Sequence, residues 1–96
     1  MRVTISERAE KNLDDMVHYL DAEWSVRIRK KFLDLLLKKI EMIKQMPLMY
    51  EASLTKKTIR LCVVNKQTSM YYRVKKDEIE IVTIQSNRKN PKKLKL

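Results

Sequence analysis

No glycine occurs among the 96 residues of this chain, so every tight turn has to be made by Asn, Asp, Lys or Pro. The same absence excludes a P-loop and a dinucleotide-binding fingerprint, because both need glycine where the backbone approaches phosphate. A single Cys and a single His exclude an internal disulfide and the usual Cys-rich or His-rich metal sites. We therefore expect residues 1–96 to form one domain that uses no metal or other cofactor.

Positive charge is concentrated in the second half of the chain. The formal net charge is +10, yet residues 1–55 contain ten Lys and Arg against nine Asp and Glu, whereas residues 56–96 contain twelve against three. The tail at residues 86–96 has no acidic side chain. Such a region attracts phosphate or an acidic protein by Coulomb forces, although a Lys-rich surface can also serve solubility alone. The asymmetry favours a binding surface for a polyanion.

The first half of the sequence predicts a short strand followed by two helices. Residues 3–5 are all β-branched, and Ser6 is well placed to cap the first helix. An apolar stripe at helical spacing then continues for about four turns, formed by Ala9, Leu13, Met16, Val17 and Leu20. Residues 21–24 are predicted to connect this helix to a second one over residues 25–46, which Pro47 ends.

The second predicted helix is unusually rich in apolar residues. Its core stripe comprises Ile28, Phe32, Leu35, Leu36, Ile40 and Ile43, and the stripe is widened by Leu33, Leu37 and Met42. Burial between the first helix and a sheet would cover a stripe of this width. The alternative is an apolar groove that stays open for a helix of a partner protein. Trp24 is expected to fill the corner between the two helices, whereas an exposed Trp24 would indicate partner binding.

The second half predicts an antiparallel meander of three strands over residues 59–64, 68–74 and 78–85. Residues 47–58 form the loop that precedes them, with Met49-Tyr50 packed against the core. The predicted fold class is therefore α+β, in the order β-α-α-β-β-β, with a basic C-terminal tail.

Strand alternation assigns the side chains of the meander to two faces. Arg60 shares a face with Cys62 and Val64, and Arg73 shares one with Tyr71. Since the helices can cover only one face of the sheet, the arginines are expected to project from the other, with Tyr71 in the same row as Arg73. Cys62 is expected to be a small buried apolar residue.

Three further aromatic or titratable residues, Tyr71, Tyr72 and His18, each have a structural and a functional interpretation. Tyr71 and Tyr72 are expected to be a packing pair rather than a catalytic base, and the one that shares the Arg73 face is the residual candidate for stacking on RNA. His18 is the only imidazole of the chain. Because it lies off the apolar stripe of the first helix, it is expected to be partly exposed rather than catalytic.

Several segments of the sequence together carry a family resemblance. They are ISERAEKNLDD at residues 5–15, MPLMY at 46–50, SMYYRV at 69–74, EIVTI at 80–84 and NRKNPKKL at 87–94. With the size, the charge and the order of elements, they make nearly the whole chain similar to toxins of the RelE/ParE superfamily from type II toxin–antitoxin modules. This resemblance implies a helical hairpin packed on a small, mainly antiparallel sheet. It also implies an acidic antitoxin whose C-terminal segment wraps the toxin.

The superfamily divides by target. RelE-like members cut mRNA on the ribosome, and ParE-like members poison DNA gyrase. Arg73 and Arg88 match basic positions that RelE-like enzymes use, and a guanidinium binds phosphate in a bidentate manner. Those enzymes usually also carry a Tyr or a His-Tyr pair near the C-terminus. Residues 86–96 contain no Tyr, His, Asp or Glu, so a general acid or base would have to come from elsewhere.

The favoured hypothesis is therefore a ParE-like toxin, not an enzyme, that is cytoplasmic and needs no membrane. It would belong to a plasmid-stabilising addiction module, inhibit DNA gyrase and be neutralised by its acidic antitoxin. Its contact surface is predicted to comprise Arg60, Arg73, Arg88, Lys89, Lys92 and Lys93.

Two alternatives stay open. The first is a ribosome-dependent mRNA endonuclease, which would use Arg60, Arg73 and Arg88 to stabilise charge in the transition state, with Tyr71 as a further catalytic candidate. The second is a nucleic-acid-binding module without toxic activity, which the basic half of the chain supports equally well.

Overall fold

The computed structural model describes residues 1–52 and 58–86, and it has the predicted order β-α-α-β-β-β. The elements are β1 (Arg2–Ile5), α1 (Glu7–Glu23), α2 (Val26–Gln45), β2 (Arg60–Asn65), β3 (Thr68–Lys75) and β4 (Glu78–Ser86). The α+β fold class is confirmed. Within the described part, neither helix combines the length and the apolar composition that a membrane-crossing helix needs.

Serine side chains begin both helices. The Ser6 hydroxyl accepts a hydrogen bond from the Ala9 amide at 3.0 Å and donates one to the Val82 carbonyl at 2.6 Å. Ser25 caps α2 by accepting from the Ile28 amide at 3.3 Å. The predicted connection at residues 21–24 is shorter than expected, because the helical hydrogen bonds continue until the Trp24 amide donates to the Leu20 carbonyl. The two helices are therefore joined by a very tight corner.

The four strands form one mixed sheet in the order β1-β4-β3-β2. The predicted antiparallel meander of β2, β3 and β4 is confirmed, and β1 adds to β4 in parallel. A parallel pair requires a long crossover between its strands, and here the two helices are part of that crossover. A register shift opposite Tyr71 and Tyr72 makes Val82 an additional residue in β4.

The turns are made without glycine, as the composition requires. Asp77, in the turn between β3 and β4, takes a positive φ of 59°, a region that Asp tolerates better than most residues. In the turn between β2 and β3, the Asn65 side chain accepts a hydrogen bond from the Gln67 amide at 2.8 Å. Polar side chains and one left-handed Asp thus replace glycine at both hairpins.

The core lies between the helical hairpin and one face of the sheet. The helices contribute the buried residues Ala9, Phe32, Leu36 and Ile43, and the sheet contributes Cys62, Val64, Met70, Tyr72, Ile79, Ile81 and Ile84. The predicted burial of Cys62 is confirmed. The wide apolar stripe of α2 is only partly buried, since Leu37 is exposed. The face of the sheet that carries Tyr72 is called the inner face below, and the opposite face the outer face.

Candidate functional site

A cluster of charged side chains lies on the outer face of β3 and β4. Arg73 is directly opposite Glu80 across the two strands. The Glu80 carboxylate lies 3.7 Å from Arg73 Nη1 and 3.5 Å from Lys75 Nζ. Each of the three side chains is partly exposed, so these ion pairs add little to stability. Two cations around one carboxylate leave a net positive charge that an anionic partner can use.

Arg73 keeps hydrogen-bonding capacity beyond its contact with Glu80. Its side chain is 41% exposed, and its Nε is buried with no hydrogen-bond partner among the described residues. A guanidinium offers five N–H donors in a fixed plane, so Arg73 can donate further hydrogen bonds. The predicted position of Arg73 on the outer face is confirmed, and its role in binding stays a prediction.

Tyr71 lies two residues before Arg73 on the same face of β3, as predicted. Its side chain is buried, with 7% of its surface exposed, so little of the ring is accessible for a base to stack on. Burial also raises the pKa of the Tyr71 phenol, which keeps the hydroxyl protonated and makes it a poor general base at neutral pH.

Arg60 does not share the outer face with Arg73, and that part of the sequence prediction is wrong. The register pairs Arg60 with Tyr72 and Cys62 with Met70, which places Arg60 on the inner face. Alternation correctly groups Arg60 with Cys62, but the helices cover the face that these two residues occupy. The exposed residue of β2 is Val63, at 51%. The described residues therefore contain no continuous row of arginines.

The Arg60 guanidinium instead holds the segment that follows α2. Its Nη1 donates a hydrogen bond to the Tyr50 carbonyl at 2.7 Å. The Tyr72 hydroxyl donates to the Pro47 carbonyl at 2.8 Å, and the Tyr50 and Tyr72 rings meet edge to face with their centroids 6.5 Å apart. Tyr50 is packed inward as predicted, whereas Met49 is exposed. Arg60 thus has a structural role in this geometry.

Alkaline pH is expected to loosen this segment. The pKa of Tyr50 is raised from 10.0 to about 12, first by its hydrogen bond with the Cys62 thiol and then by burial. Because the unfolded chain loses this proton first, the stabilisation is complete below pH 10 and declines as the pH rises towards about 12. Urea unfolding at several pH values should show this decline, and Tyr50→Phe should reduce its slope. An unchanged slope in Tyr50→Phe would assign the effect to other groups.

The other predicted site residues lie apart from this cluster or outside the described residues. Arg88, Lys89, Lys92 and Lys93 fall within residues 87–96, which the structure does not describe. His18 is exposed on α1, as expected. Within residues 1–52 and 58–86, no group of three or more His, Cys, Asp or Glu side chains is positioned to hold a metal ion.

An apolar groove opens between the helical hairpin and the nearby ends of β3 and β4. Its volume is about 550 Å³, and its apolar lining includes Met16, Tyr19, Leu20, Ile28, Phe32, Leu35 and Ile84. Asp15 and Lys31 lie on its wall together with the polar ends of the strands. Most of the apolar stripe of α2 packs into or against the core, as the first interpretation predicts. Ile28, Phe32 and Leu35 also line this groove, and its use by a helix of a partner stays a prediction.

Trp24 is exposed, so the prediction that it fills the corner between the helices is wrong. It caps the C-terminus of α1 and has 58% of its surface accessible. The connection between the helices is reduced to Trp24 and Ser25, because α1 continues to Glu23 and α2 begins at Val26. From the sequence, an exposed Trp24 indicates partner binding.

Sequence reasoning missed Glu80 as the residue that orients Arg73. The signal was present, because a two-residue turn at Lys76 and Asp77 sets Lys75 opposite Glu78 and Arg73 opposite Glu80. Predicting the turn as three residues, 75–77, obscured that register.

Comparison with known proteins gives a consistent family assignment. The family model described as ParE toxin of type II toxin-antitoxin system, parDE, matches residues 3–91. A search of curated proteins found no significant match.

Solved structures share the fold at low sequence identity. A structure of the chromosomal ParDE system from P. aeruginosa superimposes with a TM-score of 0.76 at 17% identity, covering 90% of this chain and 95% of that one. A YoeB/ParE toxin from Agrobacterium tumefaciens gives a TM-score of 0.67 at 11% identity, covering 90% and 98%. A copper-bound mutant toxin from Helicobacter pylori gives 0.66 at 17% identity, covering 92% and 96%.

Proposed function

Because the chain belongs to the ParE toxin family of type II toxin–antitoxin systems, we propose that it arrests growth by inhibiting DNA gyrase in the cytoplasm. The observation that carries the proposal is the family match over residues 3–91. The chemistry around Arg73 supports a binding role over a catalytic one. Its neighbours are a buried phenol with a raised pKa and a carboxylate that contacts two cations. Neither is well suited to deprotonate a ribose hydroxyl.

The groove and the net charge support neutralisation by an acidic antitoxin. A chain of net charge +10 repels other cations and attracts an acidic segment from a distance. When the acidic segment has reached the toxin surface, its apolar face can enter the groove, whose lining is rich in Leu, Ile, Phe and Met side chains. In this proposal charge accelerates association, and burial in the groove keeps the complex together.

A supercoiling assay with purified protein tests the proposed target. We expect the full chain to inhibit ATP-dependent supercoiling by gyrase and to increase cleaved DNA, and an excess of the antitoxin to reverse both effects. Unfolded protein should have no effect, which controls for non-specific binding of a basic chain to DNA. Active gyrase that ignores folded protein would contradict the proposal.

The ribosome-dependent endonuclease is the second candidate, because the donors of the Arg73 guanidinium are suited to phosphate. It predicts cuts at defined positions in translated mRNA from arrested cells. Intact transcripts together with inhibited gyrase would exclude it. A chain that binds nucleic acid but arrests nothing would instead support the third reading, a module without toxic activity.

A further inference from the structure

Four exposed apolar side chains lie at or near the corner where α1 turns into α2, and two of them, Tyr19 and Ile28, line the same groove. Tyr19, Trp24, Val26 and Ile28 are 41%, 58%, 52% and 38% exposed. Single exposed apolar residues are normal on a protein surface, but a cluster usually marks an interaction site. This cluster, together with the neighbouring cations Arg27, Lys30 and Lys31, is called the hairpin tip.

One cation of the hairpin tip, Arg27, is placed against the preference of its own helix. The first turn of α2 has no acidic residue, and the N-terminus of a helix carries partial positive charge that makes a cation in the first turn destabilising. Lys30 and Lys31 lie in the second turn, and all three cations are exposed. Arg29 has a compensating partner, Asp21 at 3.1 Å. The other three form no ion pair with a described residue, so the fold gains nothing evident from their charge.

The mixture of charges favours a protein partner over nucleic acid. Glu23 is exposed at the end of α1, immediately before Trp24, and Asp15 lies on the wall of the adjoining groove. Phosphates would be repelled by these carboxylates. A protein surface can place acidic groups opposite the cations of α2 and an apolar pocket opposite the indole.

We propose that the hairpin tip is a second surface, additional to the one around Arg73, with which the toxin holds its target protein. It would contact an acidic patch that has an apolar pocket for the Trp24 indole. This inference rests on the proposed function, in that it assumes a toxin with a protein target, but it does not depend on the target being gyrase. Trp24, Tyr19 and Arg27 are exposed and are of the residue types that most often dominate binding energy in protein interfaces.

The overlap between the hairpin tip and the groove suggests how an antitoxin neutralises the toxin. Tyr19 and Ile28 belong to the hairpin tip and also line the groove. A segment that fills the groove therefore covers part of the tip and competes with the target. The antitoxin would need no contact with Trp24 itself, so the two binding events can be separated by mutation.

Two variants of the full chain test the proposal. Trp24→Ala removes the indole, and Arg27→Glu reverses a charge in the first turn of α2. Since a carboxylate is favourable at a helix N-terminus, Arg27→Glu should unfold at the same or a higher urea concentration, so a loss of activity cannot come from unfolding. Leu37→Ala and Lys38→Glu are the matched controls, because both residues are exposed further along α2.

Growth arrest under titrated induction is the primary measurement, since it needs no assumption about the target. We expect each tip variant to need at least about tenfold more protein than wild type to arrest growth. The affinity of each variant for the antitoxin should stay within about twofold of the wild-type affinity, and the control variants should behave like wild type. Unchanged arrest would overturn the proposal. Weakened antitoxin binding with unchanged arrest would also overturn it and assign the tip to the antitoxin.

Two further measurements distinguish this proposal from its premises. If the tip variants lose arrest while purified gyrase ignores the wild-type chain, the gyrase proposal fails and the hairpin tip stands. Trp24 is the only tryptophan, so its fluorescence reports on the tip directly when duplex DNA or RNA is added. Saturable quenching by either nucleic acid, lost in Arg27→Glu, would replace the protein partner with a nucleic acid and overturn the proposal.

Discussion

Arg73→Ala is expected to abolish growth arrest while changing the free energy of unfolding by less than about 1 kcal/mol. The Arg73 side chain is partly exposed, and its long contact with Glu80 is not essential to the sheet. When Arg73 is removed, Glu80 keeps Lys75 at 3.5 Å and is not left as an unpaired charge. We therefore expect function to depend on this guanidinium more than the fold does.

Arg60→Ala is the matched comparison and should behave in the opposite way. It removes a 2.7 Å hydrogen bond to the Tyr50 carbonyl, and we expect this to cost about 1 to 3 kcal/mol of stability. Arrest should weaken only as far as the folded population falls. Titrated induction and urea unfolding on both variants provide the two readouts. A folded, fully toxic Arg73→Ala would remove Arg73 from the contact surface.

The basic tail, which lies outside the described residues, can be tested by the same comparison of growth arrest with stability. Removal of residues 87–96, or Arg88→Ala, is expected to abolish arrest without unfolding the protein, since the described core involves residues up to Ile84. Arg73→Lys separates charge from shape, because it keeps the positive charge and loses the planar donors. Arrest by Arg73→Lys at wild-type strength would indicate that charge alone is recognised.

The elements of this fold could be predicted from sequence because their signals are local. Ser6 caps α1 through a bond to a backbone amide three residues later, and Pro47 ends α2 because it cannot continue the helical hydrogen bonds. Short runs rich in β-branched and aromatic residues, separated by polar turns, indicate the strands. The difference in net charge between residues 1–55 and residues 56–96 also follows from the sequence alone.

The faces of the elements could not be predicted, because they depend on contacts between distant residues. Alternation divides β2 into two faces but does not identify the one that the helices cover, and so Arg60 was placed on the outer face. Trp24 was placed in a corner whose size depends on how far α1 continues. The family resemblance gives the fold and the class of activity, whereas the groove and the hairpin tip emerge only from the packing.

Tyr72→Ala is expected to cause the largest loss of stability, about 3 to 5 kcal/mol. Tyr72 is fully buried in the core cluster and packs its ring edge to face against Tyr50. A domain of this size has a free energy of unfolding of about 5 to 15 kcal/mol, so this single substitution would remove a large share of the stability and, at the lower end of that range, leave a substantial unfolded fraction. Urea unfolding measures the loss, and toxicity should fall with the folded population rather than through a change at the contact surface.

Tyr72→Phe isolates the hydroxyl, because it keeps the ring and removes only the 2.8 Å hydrogen bond to the Pro47 carbonyl. We expect a cost of about 1 kcal/mol. Tyr71→Phe is the matched control, since Tyr71 is also buried but no hydrogen bond from its hydroxyl to a described residue is seen. Equal effects of the two substitutions would mean that the bond to Pro47 does not stabilise the fold. A larger effect of Tyr72→Phe would show that β3 anchors the segment after α2, which Arg60 also holds from β2. Arg60 and Tyr72 would then hold this segment together from two adjacent strands.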